Sequence, residues 1–450
     1  MRSDRTICRI LASLACASLI ACSGSDASRR PDASAGALAE PPAGGPVAAL
    51  TGDRDAWLVV GRRGASGVEV IQASTAERQF ELPTGVPDDR WGHLFAAESD
   101  GTQTTISHLV VQPGFGGPED VIDGAWRLPT IGLDPTPVGV SANAADSPNS
   151  ATVVLVEDRP ADAPRTSTRF AVLRHTPVGE PISKVIELAG SFEYDAISPD
   201  GSKLYVVEHL PGAVEGRYQV RLVDVASGVL QEAIIADKRN LDEAMAGWPI
   251  AQVRRPDGLV FTLYRGAEHP FIHALNATEG WAVCIDLPAV RAHDAAAALD
   301  WGLAVAPDGR AVFAVNSTLG LAVDVDPGEL SVRRTGAVQP LAAGSIVLAK
   351  FGHQDAGPAG RRVVVAPDGR TIYAAGAAGI LAIDATRLAE THRYLEGTAV
   401  ASLGLNLDGR TIFALDAAGG SIVGLDAASG AVLGRVPADG LDRLLAVVPW

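Results

Sequence analysis

Short apolar runs recur along most of the chain, each beside a tight-turn signal. Leu303-Ala304-Val305 and Ala311–Val315 flank Pro307-Asp308-Gly309. The same unit appears at Pro199-Asp200-Gly201, Pro256-Asp257-Gly258 and Pro367-Asp368-Gly369, and as Leu407-Asp408-Gly409. Fainter copies lie upstream: Ser99-Asp100-Gly101 before Thr105–Val111, Ser147–Ser150 before Ala151–Val156, and Gly52–Asp55 before Trp57–Val60. In this motif proline pre-sets the first turn position, Asp bonds its own backbone, and Gly takes the left-handed conformation that closes a hairpin. The runs are continuously apolar rather than alternating, which predicts strands buried on both faces. A second turn recurs downstream, at Asp224–Gly228 and Asp426–Gly430, with a weaker form at Asp384-Ala385-Thr386. Each unit therefore predicts four antiparallel strands, with tight turns between the first and second and between the third and fourth.

Units at intervals of about 40 to 60 residues predict an all-β propeller of four-stranded blades. The count is eight, or seven if the weak units near residues 100 and 148 merge. The first unit shows strands near Leu58, Val68 and Phe80 but lacks a first strand, while Leu444–Val448 reads as a strand without partners. Joining the two completes the first blade from both ends of the chain and leaves no open sheet edge. The Pro-Asp-Gly-Arg turns and Asp-Ala-x-Ser-Gly turns resemble the YVTN and WD40-like β-propeller repeats of bacterial extracytoplasmic proteins. The resemblance covers about 190–440 well and 51–190 loosely. It implies a fold and says almost nothing about function, because these residues serve turns and cores.

The N-terminus predicts an address. Arg2, Arg5 and Arg9 precede an apolar run from Ile10 to Ala21, too short to span a bilayer but with the length and flanks of a secretory signal. Its end, Leu19-Ile20-Ala21-Cys22, resembles the lipobox of bacterial lipoproteins. That resemblance implies cleavage after Ala21 and lipidation of Cys22. Of four cysteines, only Cys22 and Cys284 would remain after cleavage, too few for a disulfide framework. Residues 22–50 are polar, then rich in Ala, Gly and Pro, with no periodic apolar face, and read as a disordered tether. The predicted organisation is a signal peptide at 1–21, the tether at 22–50 and the propeller at 51–450. The expected location is the cell envelope: the outer membrane in a Gram-negative source, which Ser23 would permit, or the outer face of the cytoplasmic membrane in a Gram-positive one.

Charge narrows the partners. The net charge is −16, and removing residues 1–21, with three Arg and one Asp, leaves −18. No basic cluster is dense enough to neutralise phosphates, so no nucleic-acid partner is expected. The membrane is reached through the lipid, not through the folded part.

Topology supplies the functional expectation. Tight turns share one end of the blades. Long connections share the other: Gln112–Glu119, Glu157–Ser167, Glu208–Arg217, Ile235–Trp248, Arg265–Phe271, Pro288–Trp301 and Gln339–Arg361. Surplus loop length on one face of a rigid scaffold marks a recognition surface. Its candidate residues are Trp91, His209, Trp248, Arg265, His269, His293, Trp301 and His353. The tryptophans each precede a first strand, near the mouth of the channel, where they either stack on a ligand or plug the ring. His269 and His273 have a spacing that would pair ligands on a helix, but Pro270 and the β context predict an extended segment, with those side chains about 13 Å apart.

No nucleophile elbow, His-Glu-x-x-His helix or dinucleotide-binding glycine pattern is present. The reading therefore leans away from an enzyme, with no catalytic residue, cofactor or metal assigned. The leading expectation is a membrane-anchored, non-catalytic module that binds a protein or glycan through its long-loop face. One alternative is a hydrolase resembling propeller lactonases, with a channel-bound divalent cation. Another is an envelope-assembly or quinone-type propeller, although the tryptophan that docks each blade in that group is replaced by Leu433 in the last repeat.

Overall fold

A computed structural model describes residues 55–62, 67–82, 86–87, 93–110, 122–129, 136–142, 151–157, 166–175, 182–210, 217–237, 245–265, 269–288, 297, 300–341 and 360–449. The expected signal peptide with Ala21, the expected tether with Cys22, and Trp91, His293 and His353 lie outside the described residues.

The described chain forms eight four-stranded antiparallel sheets. The first comprises Leu441–Pro449, Ala56–Arg62, Val68–Gln72 and Arg78–Leu82; the second comprises Val86–Pro87, His93–Ser99, Gln103–Val110 and Ile122–Pro129. The third is Thr136–Ala142, Ala151–Val156, Ser167–His175 and Ile182–Ala189; the fourth is Ser191–Ile197, Lys203–His209, Tyr218–Asp224 and Val229–Ile234. Trp248–Arg254, Leu259–Arg265, Pro270–Asn276 and Trp281–Asp286 make the fifth; Trp301–Val305, Val312–Asn316, Leu321–Asp326 and Ser331–Ala337 make the sixth. The seventh is Val363–Val365, Thr371–Gly376, Gly379–Asp384 and Ala389–Tyr394; the eighth is Ser402–Leu405, Thr411–Asp416, Ser421–Asp426 and Val432–Pro437.

The turn chemistry is as the motif predicts. The glycines of the five Pro/Leu-Asp-Gly turns have φ between 69° and 89°. The Asp308, Asp368 and Asp408 carboxylates accept the backbone N–H two residues on, at 2.8–3.0 Å. Successive turns also touch. A Cβ on Gly409 would stand 2.5 Å from Pro367 Cδ, so this position needs glycine for space as well as for its φ of 70°.

The second strands are buried along almost their whole length, as in Leu259–Arg265, whereas outer strands such as Val229–Ile234 are mostly exposed. Apolar clusters lie between consecutive sheets. One joins the fifth to the sixth around Phe261 and Trp301, one the sixth to the seventh around Phe313, and one the seventh to the eighth around Tyr373. Another joins the eighth to the first through Phe413, Leu58 and Leu444, and the series continues through the remaining sheets. Leu441–Pro449 pairs with Ala56–Arg62 over the whole length of that strand, with Leu58 opposite Val447. The sheets follow one another around a closed circuit fastened by the C-terminal strand. This is a β-propeller.

Two sequence expectations need correction. Ser99-Asp100-Gly101 joins the second and third strands of its sheet, not the first and second. Gln112–Glu119, itself outside the described residues, consequently links third and fourth strands and belongs with the tight-turn end. The units near residues 100 and 148 do not merge, because each builds its own sheet.

Candidate functional site

Antiparallel order within each sheet sends six of the seven long connections named above to one end, which makes that end the place to look for a site. There the candidates fall into three groups. Trp248 opens the first strand of the fifth sheet and is paired across with Arg265, which is paired in turn with Pro270, next to His269. Cross-strand neighbours share a face within about 5.5 Å, so the topology brings Trp248 and Arg265 together and sets His269 at the same hairpin end. Trp248 is 43% exposed, unusual for so large an apolar group. Arg265 is half-buried and forms no ion pair with a described residue. His269 Nε2 lies 2.9 Å from Asp286 Oδ1, in a pair largely open to solvent.

His209, at the corresponding end of the fourth sheet, lies 3.2 Å from Glu193 Oε1, close enough for an ion pair but out of line for a hydrogen bond. Trp301 is not a surface residue. It is 2% exposed and packs with Phe261, Leu303 and Val323 between the fifth and sixth sheets. Its position before a first strand therefore serves the core, which removes it from the candidate face.

The scaffold under this end is stiffened by a buried network between the sixth and seventh sheets. Asp300 Oδ2 accepts hydrogen bonds from Ser317 Oγ (2.7 Å) and the Thr318 backbone N–H (3.0 Å), while Arg362 pairs with the other carboxylate oxygen. Ser317 Oγ lies 2.9 Å from the Ala375 carbonyl oxygen, which also accepts from Arg362 Nη2 at 3.3 Å. A buried pair of this kind costs desolvation, which the hydrogen bonds to Asp300 Oδ2 and from Arg362 Nη2 offset in part.

A further set of polar side chains was not singled out from the sequence. Gln252, Thr262, His273 and Cys284 stand in one cross-strand row through the fifth sheet. Gln252 Nε2 donates to Thr262 Oγ1 (2.9 Å) and to the Asp195 carbonyl oxygen of the fourth sheet (3.2 Å). Tyr218 stacks on Tyr264 with ring centroids 5.0 Å apart, Tyr264 stacks on Phe271 at 5.3 Å, and His273 stands edge-on to Tyr264 at 6.4 Å. Asp195 and His273 are 1% and 0% exposed. Burial pushes the Asp195 carboxyl up to about 7, with Arg254 offsetting part of the effect. The same cause brings the His273 imidazole down to about 4, against the pull of Asp237. Both groups are thus held toward their neutral forms. His273 sits inside the strand Pro270–Asn276, so the extended reading of that segment is correct, but the residue is core and not loop. The available signal was a polar residue interrupting an apolar run, as Thr262 does in Leu259–Arg265.

Among the described residues, no group of three or more His, Cys, Asp or Glu side chains is placed to hold a metal ion.

No family model matches the chain, and no curated protein does. Solved structures do. The chain is similar to apo AztD from Citrobacter koseri, with 14% identity and a TM-score of 0.53 over 88% of this chain and 98% of that one. A second structure of Citrobacter koseri AztD gives 0.52 at 14% identity over the same shares. The periplasmic gluconolactonase PpgL of Pseudomonas aeruginosa has a TM-score of 0.43 at 17% identity, covering 88% of this chain and 99% of its own. At these identities the likeness to AztD is one of fold: a β-propeller.

Proposed function

We propose that the protein is an extracytoplasmic lipoprotein, cleaved behind Ala21, anchored through Cys22 and held off the membrane by residues 22–50. It acts as a non-catalytic binding module whose long-loop end takes a protein or glycan bearing an acidic group. One observation carries the reading: Trp248, solvent-exposed, stands directly across from Arg265, a cation without an ion-pair partner among the described residues. An exposed indole offers a stacking face to a sugar or side chain. A guanidinium beside it grips a carboxylate with two parallel N–H donors. The protein is otherwise acidic, with a net charge of −16, so this cation supplies the selectivity for an anionic group.

The test is a photo-crosslinking residue placed at position 248 in intact cells. The control is the same probe at Leu407, which is 72% exposed on a tight turn at the opposite end. The reading predicts covalent adducts at 248, absent at 407 and weakened roughly tenfold or more by Arg265→Ala, the scale of an interface hot spot. Equal adducts at both positions, or none at 248, would contradict it.

A further inference from the structure

The seam between the fourth and fifth sheets differs in one respect from those ahead of the sixth, seventh and eighth. In the sixth, seventh and eighth sheets the row across the first three strands is apolar: Leu303–Ala314–Val323, Val363–Ala374–Leu381 and Leu403–Ala414–Val423. The fifth sheet places Gln252–Thr262–His273 there. The equivalence is fixed by the turn. Arg255 N–H bonds to the carbonyl of Leu259, four residues on, whereas Ala306, Ala366 and Asn406 each bond to the residue five on. The fifth hairpin is one residue shorter, so Phe261 matches Phe313, Tyr373 and Phe413, and Thr262 matches the alanines.

Opposite this polar row stands Asp195, the extra residue of a β-bulge between Tyr194 and Ala196. Bulges re-aim side chains, and this one sends a carboxylate to Gln252, whose Nε2 lies 3.4 Å from Asp195 Oδ1. Nearby, Tyr218, Tyr264 and His273 are 4%, 1% and 0% exposed. Among the described residues, Asp195 Oδ2 and both His273 nitrogens have no hydrogen-bond partner, and the hydroxyls of the stacked Tyr218 and Tyr264 have at most each other. The closest formal charges are engaged elsewhere: Arg254 Nη2 donates to Tyr194 Oη at 3.1 Å, and Asp237 Oδ2 accepts the Cys284 backbone N–H at 2.9 Å.

Buried polar atoms are normally met by a partner, and ordered water is the partner when the protein supplies none. A guest here must offer both donors and acceptors, because imidazole and phenol each need one of either kind. It must also be neutral. A cation would find at most a single carboxylate, and an anion would find no cation free to balance it, Arg254 being engaged with Tyr194. We propose that the polar seam between the fourth and fifth sheets is a built-in hydration site. Ordered water there bridges Asp195 Oδ2, the Tyr218 and Tyr264 hydroxyls and the His273 ring.

The test is a crystal structure of the whole folded protein from polyol-free solution, at a resolution that shows solvent. It should reveal water-sized density within hydrogen-bond distance of His273 and Asp195 Oδ2. A larger continuous guest, an anomalous metal peak, or side chains closed on one another with no density would each overturn the proposal.

Discussion

At the residue scale, Asp195 and His273 give the folded state a pH signature with opposing parts. Asp195 keeps its proton in the fold up to about 7, while the unfolded chain releases it near ~3.9. Stability from this group is therefore complete below about 4 and lost as pH rises toward 7. His273 stays neutral in the fold down to about 4, while the unfolded chain takes a proton below ~6.5. Its contribution is complete above that value and lost as pH falls toward 4. Between the two limits the terms cancel. The charged groups acting on them are Arg254 on Asp195 and Asp237 on His273. Urea unfolding of Asp195→Asn should show stability rising with pH more steeply than in the parent across this window, and His273→Gln less steeply. Identical slopes in all three proteins would contradict the burial assignments. Of these residues the sequence advertises only His273, and it does so ambiguously, beside a loop with a ligand-like spacing. Asp195 is invisible there, because a bulge is a matter of register, and register is set by pairing with a neighbour. Trp301 is the converse case: its place before a first strand was legible, but the apolar wall of the adjacent sheet decides that it is core.

At the element scale, the Pro-Asp-Gly turns and their flanking apolar runs were readable because local chemistry alone dictates them. The second sheet departs from the repeat for an equally local reason. Its first strand is the two-residue Val86–Pro87, with no apolar run to announce it, so the turn signal Ser99-Asp100-Gly101 points to the first hairpin while the fold uses it in the next one. Inner strands also carry a requirement that only packing reveals. A Cβ on Gly404 would stand 2.2 Å from Val447 Cγ2, and one on Gly302 would stand 2.6 Å from Val363 Cγ2. First strands of adjacent sheets thus approach through a glycine that receives a valine. Gly404→Ala should destabilise the protein by roughly 1–3 kcal/mol, the usual scale of overpacking. Adding Val447→Ala should return part of that loss, as measured by chemical denaturation. Additive losses would mean that the two residues do not share a contact.

At the scale of the whole molecule, the closing pairing of Ala56–Arg62 with Leu441–Pro449 was legible as two incomplete halves. A first unit short of one strand and a final strand without partners predict each other. What lies beyond reach of the sequence is the asymmetry between interfaces. The rows across the first three strands of the sixth to eighth sheets are apolar, and that of the fifth is polar, because side chains distant in sequence meet there. Closure also underlies the binding proposal, since it fixes which connections emerge at the end that carries Trp248 and Arg265. Hydrogen exchange of the intact protein tests closure most directly. Closure predicts that amides of Leu58–Val60 and Leu444–Val448 are protected to the same degree and exchange together, as one cooperative unit with the buried strands of the eighth sheet. Rapid exchange of Leu444–Val448, with Leu58–Val60 exchanging independently, would contradict a ring closed by the two ends of the chain.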